Sequence, residues 1–324
     1  MGDIIMEREL EKRAALVSGA IEQFLPVVHP CGLYEAGRHL LDSGGKRLRP
    51  SMLLLAAEAA GGDAAALAPA AVSIELIHNF TLIHDDIMDN ADVRRGRAAV
   101  HKRWGVSGAI LAGDTLYSKA FQVLGMTPAE PNRILEAMNV LSWTCTAICE
   151  GQWLDLEFET RDRVSESEYM EMIEKKTGVL YGASACIGAI LSGAPPKTVQ
   201  KLDEFGRLTG MGFQLQDDVL DLTAPEKVLG KRRGGDLIEG KKTLIMIHAL
   251  AHNVAVDVFG RKDASEEEIE KAIAVLAESG SIEYARSKAE ALVESGKDAL
   301  KVLADSPART MLLELADYMI RRRY

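Results

Sequence analysis

Two aspartate pentads of one form stand out in the chain, Asp85-Asp86-Ile87-Met88-Asp89 and Asp217-Asp218-Val219-Leu220-Asp221. On a helix turning about 100° per residue, Asp85 and Asp89 share a face one turn apart, as do Asp217 and Asp221. Carboxylates crowded at a helix end repel each other and lose hydration when buried. A divalent cation removes both penalties, and magnesium takes oxygen ligands and bridges carboxylates to phosphates. Two such clusters on facing helices would hold a diphosphate through shared ions. One pentad alone reads equally well as a solvated helix end. A second of the same form, again at the end of an apolar segment, shifts the reading to metal binding.

Basic residues accompany both pentads. Gly44-Gly45-Lys46-Arg47-Leu48-Arg49-Pro50 sets cations behind a glycine pair and ahead of an apolar helix, where exposed backbone N–H groups suit an anion. Arg94-Arg95-Gly96 follows the first pentad; Lys231-Arg232-Arg233-Gly234-Gly235 and Gly240-Lys241-Lys242 follow the second. No G-x-x-x-x-G-K-[ST] phosphate loop is present. His78 precedes Asp85 by two turns on nearly its face, and Gln214 precedes Asp218 by one turn.

The elements that must present these groups read as helices. Ala, Leu, Glu, Lys and Met dominate, and sustained runs of Val, Thr and aromatics are missing. Breakers at fairly regular intervals separate long segments such as 64–88, 132–150 and 171–191. Ser165-Glu166-Ser167-Glu168 and Ser265-Glu266-Glu267-Glu268 each predict a capping box at a helix start. Gly178, Gly182 and Gly188 inside a helical segment predict close helix packing. The expectation is an all-α chain, a single domain over 1–324 built as a bundle of roughly a dozen helices.

A formal net charge of -10 over 324 residues argues against a general nucleic-acid binder. Cys31, Cys145, Cys149 and Cys186 lack C-x-x-C spacing and read as reduced thiols of a cytoplasmic protein. The start MGDIIMERELEKR lacks an apolar signal core, and no uninterrupted apolar run approaches the ~20 residues that span a bilayer. No transmembrane segment is expected.

Six ordered stretches together resemble the trans-isoprenyl diphosphate synthase (polyprenyl synthase) family: GGKRLRP (44–50), LIHDDIMDNADVRRGR (82–97), GQWLDLEFE (151–159), KKTG (175–178), GFQLQDDVLDL (212–222) and GKRRGGDLIEGKKT (230–243). The resemblance implies the all-α isoprenoid synthase fold around a central active-site cavity, usually in a homodimer. It implies that Lys46, Arg49, His78 and Arg95 hold the diphosphate of isopentenyl diphosphate. Arg94, Lys176, Lys231 and Lys241 would hold that of the allylic substrate, with roughly two or three magnesium ions on Asp85, Asp89 and Asp217. Asp86, Asp218 and Asp221 would support the metal site. Thr177 and Gln214 would line the place where positive charge appears and so take the catalytic role.

Product length should follow the depth of the cavity below the first pentad. Phe80 stands five residues before Asp85, Thr81 four before it, and the pentad has no internal insertion, a combination that resembles archaeal-type geranylgeranyl diphosphate synthases. Phe80 is turned about 140° from Asp85, so a neighbouring helix must share the cavity wall. A plain core phenylalanine is the competing reading.

Other patterns carry less. His248 and His252 are one turn apart but lack the Glu of H-E-x-x-H, and read as a surface or interface helix. Arg321-Arg322-Arg323 could fold over a substrate entrance or fray as a basic tail. The functional alternatives are a farnesyl or longer-chain synthase, a terpene cyclase, which usually carries an Asn/Ser/Glu second metal motif, and a silent partner subunit, which typically loses aspartates or cations.

Overall fold

The computed structural model describes residues 2–225 and 232–321. Lys231, Arg322 and Arg323 lie outside them. The described chain is all-α apart from one two-residue hairpin, in keeping with its composition. It divides into two compact units, one of Met1–Cys145, Ala183–Asp203 and Leu300–Leu315, the other of Thr146–Gly182, Glu204–Ala299 and Ala316–Tyr324.

The first unit holds α1 (Gly2–Phe24), α2 (Cys31–Leu41), α3 (Leu48–Ala59), α4 (Ala68–Met88) and α5 (Val100–Leu124). Helix α4 is apolar around most of its girth, so it is covered on several sides, by α1, α3 and most closely by α5. The stretch Ala65–Met88 is long and apolar enough to cross a membrane by length and composition, but 67% of its most apolar window is buried. Buried Glu75, Asn79 and Asp86 interrupt its apolar surface. Strands β1 (Val93–Arg94) and β2 (Arg97–Ala98) pair Val93 with Ala98 and Arg94 with Arg97. Their turn needs two left-handed residues, which Arg95 (φ 52°) and Gly96 (φ 71°) supply.

The remaining helices are α6 (Pro131–Thr160), α7 (Glu166–Ile173), α8 (Val179–Leu191), α9 (Pro196–Thr223), α10 (Gly235–Glu239), α11 (Leu244–Ala251), α12 (Glu266–Glu278), α13 (Ser281–Ala299) and α14 (Pro307–Arg321). Both expected capping boxes form, at the starts of α7 and α12. Each satisfies two otherwise unpaired N–H groups, and such caps contribute about 1 kcal/mol. The long segment 171–191 is not one uniform α-helix: residues Glu174–Gly178 form a π turn between α7 and α8. An extra residue in a helical turn shifts the apolar period by one position, but the segment that follows, Val179–Leu191, is apolar all round, so the sequence has no polar face to show the shift.

The glycines inside helices mark close approaches, as expected. A Cβ on Gly188 would stand 2.3 Å from the Leu53 carbonyl oxygen in the first unit. In the second unit, a Cβ on Gly206 would meet the Tyr181 carbonyl oxygen at 2.3 Å and the Gly182 Cα at 2.7 Å. The core of the second unit gathers Tyr169 and Met172 of α7, Leu215 and Val219 of α9, and Leu244 and Leu276 beyond.

Candidate active site

In the first unit the aspartates sit at the C-terminal end of α4, with Asp89 as its cap residue. Unpaired carbonyls already give that end partial negative charge, so carboxylates there call for a cation. Buried Asp86 receives one from the chain: Arg94 Nε donates to Asp86 Oδ1 at 2.8 Å and Arg94 Nη2 lies 2.5 Å from it. Asp86 Oδ2 is buried without a hydrogen-bond partner among the described residues. Asp85 is half-buried and Asp89 exposed.

The glycine–basic loop precedes α3 and runs through left-handed backbone at Gly44, Gly45 and Arg47. Lys46 is exposed on it, and Arg49 enters the first turn of α3. Arg47, read from sequence as one of three available cations, is instead buried in an ion pair with Glu75 and donates to the Leu41 carbonyl at 2.5 Å. Glu75 also accepts from Asn79 Nδ2 at 2.7 Å. This buried network fixes the loop, and nothing along the chain marks Glu75, because its partner is 28 residues away. Arg95 Nη1 donates to the Gly44 carbonyl at 2.9 Å, so hairpin and loop are tied together. A Cβ on Gly45 would lie 3.3 Å from the Arg95 guanidinium.

Arg49 Nη1 stands 3.4 Å from His78 Nε2. A guanidinium only donates, so His78 Nε2 is the acceptor and the imidazole is neutral. Burial, then Arg49, Arg95, Arg47 and Arg94, push the His78 pKa well below its usual 6.5. The first unit thus concentrates positive charge at Lys46, Arg49 and Arg95 around a neutral histidine, a setting for an anion.

In the second unit the pentad occupies the last two turns of α9. Buried Thr177, in the π turn, donates from Oγ1 to Gln214 Oε1 at 3.0 Å. Gln214 Nε2 donates to Asp218 Oδ1 at 3.0 Å, and Tyr169 OH donates to Asp218 Oδ2. The run from Thr177 to Asp218 fixes which end of the Gln214 amide is oxygen. Burial first, and then Asp236, drive Asp218 up to about 8, with Asp217 adding to the rise. Burial and the carboxylates of Asp218, Asp236 and Asp155 hold the Tyr169 phenol well above its usual range.

The cations of this unit lie against the same carboxylates. Lys176 Nζ is 2.5 Å from Asp155 Oδ2. Lys241 Nζ is 3.5 Å from Asp236 and 3.2 Å from Glu239. Asp221, buried, accepts the Asp236 backbone N–H at 3.1 Å, which ties the end of α9 to the loop carrying Lys241. Arg232 bonds the Ala264 carbonyl and Arg233 pairs with Glu270. Tyr169 and Asp236 carry no signal in the sequence as site residues, and Asp155 reads there only as part of the polar margin of a helix that the family resemblance sets near the active site.

Phe80 is half-buried and packs edge-on against His84 (4.8 Å between centroids) and Tyr117 of α5 (5.3 Å). Tyr117 in turn meets Phe121 at 5.2 Å. The neighbouring helix α5 therefore packs against Phe80. Thr81, next to it, turns its hydroxyl to the His78 carbonyl at 2.7 Å. His248 and His252 stack at 4.1 Å on α11, away from these groups in sequence and in bonding.

A family description, Polyprenyl synthetase, matches residues 31–276. The chain is 58% identical over 316 residues to the geranylgeranyl diphosphate synthase of Methanosarcina mazei, with 98% of each chain covered. A solved structure of geranylgeranyl pyrophosphate synthetase from Geoglobus acetivorans matches with a TM-score of 0.92 at 48% identity, over 97% of this chain and 99% of that one. The polyprenyl synthase of Caulobacter crescentus, solved in complex with calcium and isoprenyl diphosphate, matches with a TM-score of 0.88 at 32% identity, over 98% and 97% of the two chains.

Proposed function

Because the chain belongs to the polyprenyl synthetase family, we infer that it is a prenyltransferase that condenses isopentenyl diphosphate head to tail with allylic diphosphates. The allylic substrates are dimethylallyl, geranyl and farnesyl diphosphates, and the product is geranylgeranyl diphosphate. The observation that carries this reading is the pair of carboxylate-rich helix ends, one beside a basic loop and a neutral histidine, the other beside Thr177 and Gln214.

The donor set is all carboxylate oxygen, with buried Asp86 Oδ2 still unpaired among the described residues, and it fits magnesium. Asp85, Asp89 and Asp217 would hold roughly two or three such ions, supported by Asp86, Asp218 and Asp221. When bound, magnesium neutralises the allylic diphosphate and makes it a better leaving group. Lys46, Arg49, His78 and Arg95 hold isopentenyl diphosphate; Arg94, Lys176, Lys231 and Lys241 hold the allylic diphosphate. The allylic C–O bond breaks with its electron pair on the diphosphate, and the oxygens of Thr177 and Gln214 face the cation left behind. The double bond of isopentenyl diphosphate attacks that cation. A proton then passes to the released diphosphate, so no histidine or carboxylate base is needed. Exclusion of water keeps the cation from being quenched.

Phe80, backed by Tyr117, sets product length with Thr81 beside it. The same reading takes 1–324 as one polyprenyl synthase domain, acting as a cytoplasmic homodimer. Exposed Val106, Ile110 and Leu111 on α5 and Leu135 and Trp143 on α6 offer a second copy an apolar surface on the first unit, which molar mass in solution tests. Incubation of the purified chain with isopentenyl and dimethylallyl diphosphates plus magnesium should yield the twenty-carbon diphosphate, and Phe80→Ser should yield longer ones. A chain that elongates nothing alone, or that makes a hydrocarbon from geranylgeranyl diphosphate, would overturn the reading.

A further inference from the structure

Lys241 and Lys242 are neighbours in the chain and send their side chains to different partners. Lys241 Nζ lies 3.5 Å from Asp236 and 3.2 Å from Glu239, close by in sequence. Lys242, half-buried, instead donates from Nζ to the Phe158 carbonyl at 2.8 Å and reaches the Glu159 carbonyl at 3.4 Å. Both acceptors belong to the last turn of α6, which ends at Thr160. The final four carbonyls of an α-helix have no donor from the helix itself. Thr160 Oγ1 donates to the Glu157 carbonyl at 3.0 Å, so hydroxyl and ammonium together serve three of those four. A cation there also meets the negative end of the helix dipole.

The same end of α6 is tied to a second basic segment. Three residues before Phe158, Asp155 Oδ2 stands 2.5 Å from Lys176 Nζ. A Cβ on Gly151 would stand 2.3 Å from the Lys176 amide nitrogen, so α6 and the π turn pack backbone to backbone. The loop that carries Lys241 is fixed at its other end on α9. The Gly234 N–H donates to the Asp221 carbonyl at 2.8 Å, and the Asp236 N–H to Asp221 Oδ2 at 3.1 Å. The Lys241 N–H donates back to the Asp236 carbonyl at 2.9 Å. Residues 234–242 are therefore strapped between the end of α9 and the end of α6.

We propose that Lys242 is a positioning residue: it does not touch substrate but fastens the loop to α6, and so sets Lys241 relative to Lys176. This rests on the prenyl-transfer reading, in which Lys176 and Lys241 hold the allylic diphosphate. Two cations referred to one helix end form a clamp that is ordered before the substrate arrives. Without the strap, binding would have to order the loop, and that cost is subtracted from affinity.

The test is Lys242→Met, which keeps the apolar stem and removes the ammonium, assayed on the full chain with magnesium and both diphosphates. The kcat/KM for the allylic diphosphate should fall on the order of 10-fold, with KM for isopentenyl diphosphate unchanged. Lys242→Arg, which can donate to the same carbonyls, should restore most of the loss. In a Lys241→Ala background Lys242→Met should cost little more, because the group it positions has gone. Full additivity in that double variant would mean that Lys242 acts independently of Lys241, and an unchanged kcat/KM that the strap is not needed; either overturns the assignment. So would loss of the helical circular-dichroism signal at the assay temperature, since Lys242 would then be holding the fold. A parent chain inactive with both substrates would instead overturn the prenyl-transfer reading.

Discussion

The two carboxylate-rich helix ends look alike in sequence and differ in what surrounds them. At the end of α4 the chain supplies its own cation, Arg94 on Asp86, and the titratable group nearby, His78, is kept neutral by burial and by four arginines. At the end of α9 the partners of Asp218 are the neutral donors Tyr169 and Gln214, and burial with Asp236 pushes its carboxyl up. In one region the buried carboxylate is balanced by a guanidinium; in the other it is held by neutral donors. The difference teaches that two copies of one motif can stand in different electrostatic settings, because the groups packed around each copy, and not the motif, set the local field.

The sharpest way to break the comparison is to remove one carboxylate from each end. Asp85→Ala and Asp217→Ala should each lower turnover on the order of 10³-fold with the helical circular-dichroism signal retained. Near-normal turnover in either would show that the two ends are not both needed for the reaction. The next largest effect belongs to the buried pair that holds the basic loop. Glu75→Gln leaves the Arg47 guanidinium buried beside a neutral partner, both residues of the pair having side chains 2% exposed. The loss should be about 3 kcal/mol in urea unfolding. A smaller shift would mean that the Leu41 carbonyl alone satisfies Arg47.

Tyr169→Phe addresses the other region by withdrawing a donor from buried Asp218. A cost of about 2 kcal/mol is expected from the same measurement. An equal or more stable variant would show that Asp218 is not held by neutral donors. The smallest effect is one of pH. The folded-state pKa of His78 is depressed below 6.5, so below that value the unfolded chain binds more protons and stability falls as pH drops. The slope from this group should be about 1.4 kcal/mol per pH unit at most, and His78→Gln should flatten it. Parallel stability profiles for parent and variant between pH 5 and pH 7, on the order of two units, would remove the cation-crowded picture of the first region.

Much of the site was legible because it is written in short spacings. Gln214 and Asp218 are one helical turn apart and bond as that spacing predicts. The capping boxes formed where a serine precedes a glutamate by three residues. Helix character followed from composition, and close helix packing from glycines where propensity alone disfavours them. The bonds that were not legible join residues far apart in the chain: Arg47 to Glu75, Tyr169 to Asp218, Lys176 to Asp155 and Asp221 to Asp236. The π turn that carries Lys176 and Thr177 was hidden for a different reason, since it alters the helix without altering its residue types.

By itself the sequence determined that this protein is helical, that it carries two carboxylate clusters with basic loops behind them, and that these suit a metal-assisted reaction of a diphosphate. Those properties depend on residue type and on spacings within a few turns, which one helix enforces. Only the tertiary structure decided that Arg47 is a structural cation rather than a substrate ligand, that Phe80 leans on Tyr117, and that Lys242 bonds the end of α6. Those outcomes depend on which helices pack side by side, and packing brings together side chains whose separation along the chain carries no signal.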